Sequence, residues 1–123
     1  MGLLSSITCI LEGKKRNMIT DDEVEKAVDY LRDTAPKIGK AKAEANYMDD
    51  YTKVVKSQIM REHAGESLGA QEREAYSDPK YKQHLEAKKE ADERYEYLRW
   101  MMEAADAKIR AWQTQSSNNR KGF

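Results

Sequence analysis

Apolar positions along this chain recur every three or four residues, never every second one, so the sequence predicts helices and no strand. The longest run occupies positions 81, 84, 88, 91, 95, 98, 102, 105, 109 and 112. They hold Tyr81, His84, Lys88, Ala91, Tyr95, Leu98, Met102, Ala105, Ile109 and Trp112. Two of these ten depart from apolar or aromatic character, and both lie toward the start. A three–four alternation sustained over more than four heptads reads as a coiled-coil-like seam. Leu85, Trp100, Met101 and Ala104 broaden it. With Ser77-Asp78-Pro79 as the start signal, the pattern predicts a helix over 79–115, on the order of 55 Å long.

Two earlier helices are expected. Thr20-Asp21-Asp22-Glu23 has the form of a capping box and precedes Val24, Ala27, Val28 and Leu31, which predicts a helix over 21–33. Asp33-Thr34-Ala35-Pro36 then reads as a break, with Asp33 or Thr34 capping a new helix at Pro36. Ile38, Ala41, Ala45, Met48, Thr52, Val55 and Ile59 form one stripe of a helix over 36–64, which Tyr47, Tyr51 and Val54 widen. Gly65 and Gly69 punctuate its end as a cap and loop, and 70–76 has room for one or two helical turns. The helix over 36–64 is about a quarter shorter than the one over 79–115. It therefore leaves part of the C-terminal seam uncovered, and self-association is the expected remedy. The fold expectation is all-α: an elongated helical hairpin with a long, coiled-coil-like C-terminal helix that oligomerises through Tyr95, Leu98, Met102, Ala105, Ile109 and Trp112.

Composition narrows this further. The chain has 123 residues, the size of one small domain, with 39% hydrophobic and 36% charged residues. That charge share is high for a compact monomer and agrees with apolar faces shared between subunits. Acidic and basic residues balance at 22 each, which excludes a strongly basic nucleic-acid protein but not a local basic stripe. Cys9 has no partner for an intrachain disulfide, which fits a reducing cytoplasm. Residues 1–17 are expected to form a flexible or partner-packed extension. In them the basic cluster Lys14-Lys15-Arg16 follows the apolar run, the wrong order for a secretory signal, and the run is too short to span a bilayer. Met18 is a candidate alternative start. Residues 116–123 read as a polar tail, so the helical domain is expected over 18–115.

The chemistry is mostly absent. His63 and His84 stand outside any metal-ligand spacing, and His84, on the seam, reads as a packed histidine. No glycine-rich phosphate loop is present. The carboxylates interleave with cations at helical spacing, as at Lys89–Glu93 and Glu90–Arg94, in the manner of a solvated face. No catalytic residue, metal site or cofactor is expected, and the chain reads as a non-enzyme. Tyr47, Tyr51 and Tyr76 are candidates for base stacking, whereas Tyr95 and Trp112 belong to packing. Lys53, Lys56 and Arg61, with Lys37, Lys40 and Lys42, make the most basic part of the chain. They suit either phosphate contact or plain solvation, and repetition around an oligomer would multiply a weak grip.

The order of these features resembles the UvsY-like recombination mediators of bacteriophages. The likeness runs over about residues 21–123. It is carried by Lys53-Val54-Val55-Lys56-Ser57-Gln58-Ile59, the break at Gly65, Glu74-Ala75-Tyr76-Ser77-Asp78-Pro79-Lys80-Tyr81, Asp106-Ala107-Lys108-Ile109-Arg110 and Arg120-Lys121-Gly122-Phe123. The resemblance implies a ring-forming helical protein that binds single-stranded DNA. It would help load a RecA-like recombinase onto strands covered by single-stranded-DNA-binding protein, in the cytoplasm of a bacterial host. The contacts it implies fall on Lys53 and Lys56, with Arg61 a turn later; stacking by Tyr47 or Tyr51 is the expectation drawn from the aromatic residues themselves. Gln58 stands where the family's pattern calls for a second cation. The competing readings are a structural or assembly coiled coil, such as a phage scaffold or chaperone, and an adaptor or inhibitor acting on a host factor. Neither needs nucleic acid.

Overall fold

The computed structural model describes residues 18–121, and the expected extension over 1–17 lies outside them. Three helices and no strand occur among the described residues: α1 (Asp21–Glu62), α2 (Leu68–Ser77) and α3 (Pro79–Lys121). The all-α expectation holds, with two changes to the elements.

The first change is at Pro36. No break separates 33 from 36, because α1 runs through Pro36 as one helix of 42 residues. Thr34, expected as a cap, is instead 4% exposed inside it. An interior proline withholds one backbone hydrogen bond and crowds the preceding turn, a cost of about 3 kcal/mol. The buried positions offset it. Ala27, Thr34, Ala41 and Ala45 follow one another at helical spacing across the proline, and each is buried. As a result α1 and the 43-residue α3 are matched in length, where a first helix about a quarter shorter was expected.

The second change is at the C-terminus. Residues 116–121, expected as tail, continue α3. Two local features mark this end of the helix. Thr114 Oγ1 donates to the Arg110 carbonyl at 3.2 Å. Arg120 and Lys121 place cations at the negative end of the helix dipole.

The chain forms two compact units. One comprises residues 18–32 and 102–121. Here the capping box forms as expected: Thr20 Oγ1 accepts from the Glu23 amide at 3.2 Å, and Glu23 Oε2 accepts from the Thr20 amide at 3.4 Å. The Gln115 side chain clasps the backbone of Ile19 from both sides, accepting from its amide and donating to its carbonyl, each at 2.9 Å. Trp112 Nε1 donates to Asp21 Oδ1 at 3.1 Å. The two segments of this unit are therefore antiparallel.

The other unit comprises residues 33–101. Its core is Val55, Ile59 and Ala75, enclosed by Tyr51, Met60 and Tyr81. Ile59, at 1% exposed, is the one large side chain fully buried among the described residues. Ala41, Ala45 and Ala91 are also buried, and such small residues let the helices approach closely. His84 is packed as expected. Its Nε2 lies 2.8 Å from Thr52 Oγ1 and 3.0 Å from the Met48 carbonyl oxygen, and with Lys80 against Glu62 on one side and Lys88 against Asp49 on the other, α3 runs antiparallel to α1.

The connections are tight. α1 closes with short bonds from the His63 amide to the Met60 carbonyl (3.0 Å) and from Ala64 to Arg61 (3.3 Å). No glycine among the described residues has positive φ, so the left-handed cap expected at Gly65 is not used. Ser67 caps α2 by accepting from the Ala70 amide at 3.3 Å. Asp78 ends α2 and starts α3, its Oδ1 accepting from the Lys80 amide at 2.8 Å, with Pro79 at the first helical position. Lys80 Nζ then reaches back to Glu62 Oε1 at 2.7 Å.

Candidate nucleic-acid interface

Beside the core stripe of α1 lies a second one, displaced by one residue and so about 100° around the helix. It comprises positions 37, 40, 44, 47, 51, 54, 58 and 61, again in unbroken three–four alternation, and all fall in the unit of residues 33–101. All but Tyr51 are exposed. Cations stand at both ends (Lys37 and Lys40, then Arg61), and Tyr47, Tyr51 and Val54 occupy the middle.

The tyrosines form a platform. Their rings are stacked, with centroids 5.6 Å apart and planes 20° apart. Tyr51 is held from below by the His84 ring, whose centroid is 5.7 Å away. Tyr47 remains 61% exposed, so one aromatic face is anchored while the next meets solvent. Close by, Lys53, Val54, Ser57, Gln58 and Arg61 line an open groove of about 340 Å³. Lys53 and Arg61 form no ion pair among the described residues, so both ammonium and guanidinium groups are available to an anion.

Lys56 is placed differently from Lys53 and Arg61. Its side chain turns toward α2, with Nζ 3.8 Å from Glu72 Oε1 and 4.9 Å from the centroid of the Tyr76 ring. Contact with Tyr76, foremost, and the Glu72 charge raise its pKa above the ordinary lysine value. Tyr76 in turn packs edge-on against Tyr81 at 5.5 Å. Lys56 thus joins α1 to α2 and does not share the groove of Lys53 and Arg61. Asp50 adds a carboxylate to this face of α1. It sits three residues before Lys53 on the same exposed side and opposes anion binding there.

The outer face of α3 has the opposite character. Two open grooves there share Glu93. One adds Glu90, Arg94 and Tyr97, and the other adds Leu85, Lys88, Lys89, Asp92 and Glu96. Lys88, on the seam, is bound to Asp92 at 2.8 Å and lies 3.9 Å from Asp49, which together raise its pKa, the Asp92 hydrogen bond most of all. The pairings Lys89–Glu93 and Glu90–Arg94 do not form. The i,i+4 pairs on α3 are Lys88–Asp92 and Arg110–Asp106.

The expected oligomerisation residues Tyr95, Leu98, Met102, Ala105, Ile109 and Trp112 are all half-buried within the single chain. By contrast Tyr97, Trp100 and Met101 are exposed on another face of α3, Trp100 to 62%, with Arg99 5.3 Å from its ring centroid. Trp100 and Met101, expected to widen the seam, belong instead to this face.

Among the described residues, no cluster of His, Cys, Asp or Glu is arranged to hold a metal ion. No helix there is long and apolar enough to cross a membrane. No family model, curated protein or solved structure matches this chain.

Proposed function

We propose that this chain is a non-enzymatic single-stranded-DNA-binding protein. Acting as a homo-oligomer, it would assist the loading of a RecA-like recombinase onto strands covered by single-stranded-DNA-binding protein in the cytoplasm of a bacterial host. One observation supports the binding step above all. A stacked, solvent-facing tyrosine pair shares a helix stripe with unpaired Arg61 and lies beside unpaired Lys53. Aromatic faces accept any base, and flanking cations track the phosphates, the combination used by sequence-tolerant single-strand binders. The role in recombinase loading rests on the resemblance to UvsY-like mediators. Within this reading Lys53 and Arg61 contact phosphate, Tyr47 stacks on a base over Tyr51, and Lys56 holds α2 in place.

Fluorescence anisotropy with a labelled oligothymidylate tests it. Each phosphate contact contributes about −0.7 to the slope of log affinity against log salt, so Lys53→Ala/Arg61→Ala flattens that slope by about 1.4. Absence of binding at low salt in the parent protein would end the reading.

The rival reading, an assembly coiled coil without nucleic acid, draws on the exposed Tyr97, Trp100 and Met101. Self-association, which both readings use, is placed at this patch. Trp100→Glu then lowers the sedimentation coefficient while leaving the helical circular dichroism unchanged. A parent protein that sediments as a monomer refutes the placement.

A further inference from the structure

Resting on that reading, we propose that the groove between α1 and α3 lined by Lys37, Lys40, Ala41, Glu44, Arg94 and Leu98 is a second phosphate-binding station for the same single strand. The groove has a volume of about 430 Å³ and lies within the unit of residues 33–101.

Three features point to a phosphodiester chain. Lys37, Lys40 and Arg94 are exposed and none forms an ion pair among the described residues; Glu44 is the carboxylate lining this groove, while Arg94 also borders Glu90 and Glu93 on its other side. Two lysines and an arginine converging on one groove give it a local positive potential that favours an anion over bulk water. The floor is apolar, with Ala41 buried and Leu98 half-buried, which suits the carbon framework of a sugar beneath a phosphate. The location supplies the third feature. Lys37 and Lys40 stand on the same stripe as Tyr47, Tyr51 and Arg61, and Tyr47 follows Lys40 after two helical turns. A strand lying on the tyrosines along the helix leads at one end to Arg61 and at the other into this groove, a path of about 36 Å. An acidic polypeptide satisfies the cations equally but makes no use of the stacked rings between the two stations. The strand is therefore the occupant that uses all the groups on this face.

Two oligothymidylates decide it, one long enough to cover the 36 Å path estimated from the helical rise and one about half as long. They are titrated by anisotropy against the full chain, a Lys37→Gln/Lys40→Gln/Arg94→Gln variant and Glu44→Gln. The triple variant is expected to bind the long strand about tenfold more weakly, with a salt slope flatter by about 2. Its affinity for the short strand, which the tyrosines and Arg61 still hold, stays close to that of the parent. Glu44→Gln, an exposed change with little bearing on folding, strengthens long-strand binding and serves as the deciding variant if the triple one loses its helical circular dichroism. Unchanged long-strand binding in the triple variant and in Glu44→Gln overturns the second station while leaving the first in place. Equal weakening on both lengths also overturns it, since it reports only a general loss of positive charge. A parent protein that binds neither length removes the underlying reading and this station with it.

Discussion

Replacing Pro36 by alanine tests the continuity of α1 directly. In the structure Pro36 sits inside a 42-residue helix, fifteen residues from its start, with buried Thr34 just before it and buried Ala41 just after. A helix-interior proline costs about 3 kcal/mol relative to alanine, through the missing amide hydrogen and the crowding of the preceding turn. Alanine also frees the unfolded chain, which gives back about 0.4–1 kcal/mol. The net expectation for Pro36→Ala is a gain of about 2 kcal/mol, which for a protein of this size raises the melting temperature by roughly 8 °C. Thermal unfolding followed by helical circular dichroism reads it. The alternative geometry, with Pro36 opening a separate helix, predicts the reverse sign, because there the proline occupies a favoured position and its stiffness helps. A melting temperature that is unchanged or lower would refute the continuous helix.

Two further outcomes concern packing and charge. Ile59→Ala removes the one large fully buried side chain of its unit and is expected to cost about 3 kcal/mol by urea unfolding, within the usual range for such truncations. Val54→Ala, five residues away but 42% exposed, changes stability by less than about 0.5 kcal/mol; comparable losses at both positions would contradict this assignment of faces. The alkaline limb is the second. The Glu62 hydrogen bond raises the pKa of Lys80, and the Asp92 hydrogen bond raises that of Lys88. A raised folded-state pKa means their contribution is fully present below the ordinary lysine value and is lost as pH climbs through the raised one. Subtracting the urea midpoints of Lys80→Met/Lys88→Met from those of the parent, which cancels tyrosine ionisation, should leave a difference that is constant at neutral pH and shrinks only in that alkaline window. A difference that shrinks between neutral and mildly alkaline pH contradicts the pairing.

Helix type and helix starts were legible because they depend on neighbours in sequence. Thr20 with Glu23 and Asp78 with Lys80 are contacts over three and two residues, and each forms; the equally local Ser67 cap on Ala70 carried a start two residues earlier than the turns expected from 70. The break at Pro36 was misread because proline's local penalty is visible in the sequence, whereas the burial of polar Thr34, which carries the buried stripe across the proline from Ala27 to Ala41, is not. The end of α3 was misread for a similar reason. Gln115 looks like the last residue before a polar tail until its amide meets the backbone of Ile19, a partner 96 residues away.

The candidate site divides along the same line. Tyr47 and Tyr51 were visible as a pair because i and i+4 share a helix face, and they stack. Lys53, Lys56 and Arg61 were grouped by proximity in sequence, yet positions 53 and 56 lie about 60° apart on the helix while 53 and 61 lie about 80° apart on the other side, by the helical repeat. That rotation turns Lys56 into the reach of Glu72 and Tyr76 and leaves Lys53 and Arg61 together. Arg94 had no sequence signal at all, since only the antiparallel return of α3 brings it to Lys37 and Lys40. A second three–four register offset by one from the core register was nonetheless present in the sequence. On a helix whose first stripe is consumed by packing, the adjacent stripe is the nearest exposed surface still held rigid by the core. Aromatic and basic residues concentrated there cost little in folding and remain available to a ligand. For that reason the binding we propose is assigned to the tyrosines and cations of this stripe, and not to the larger number of charges spread over α3.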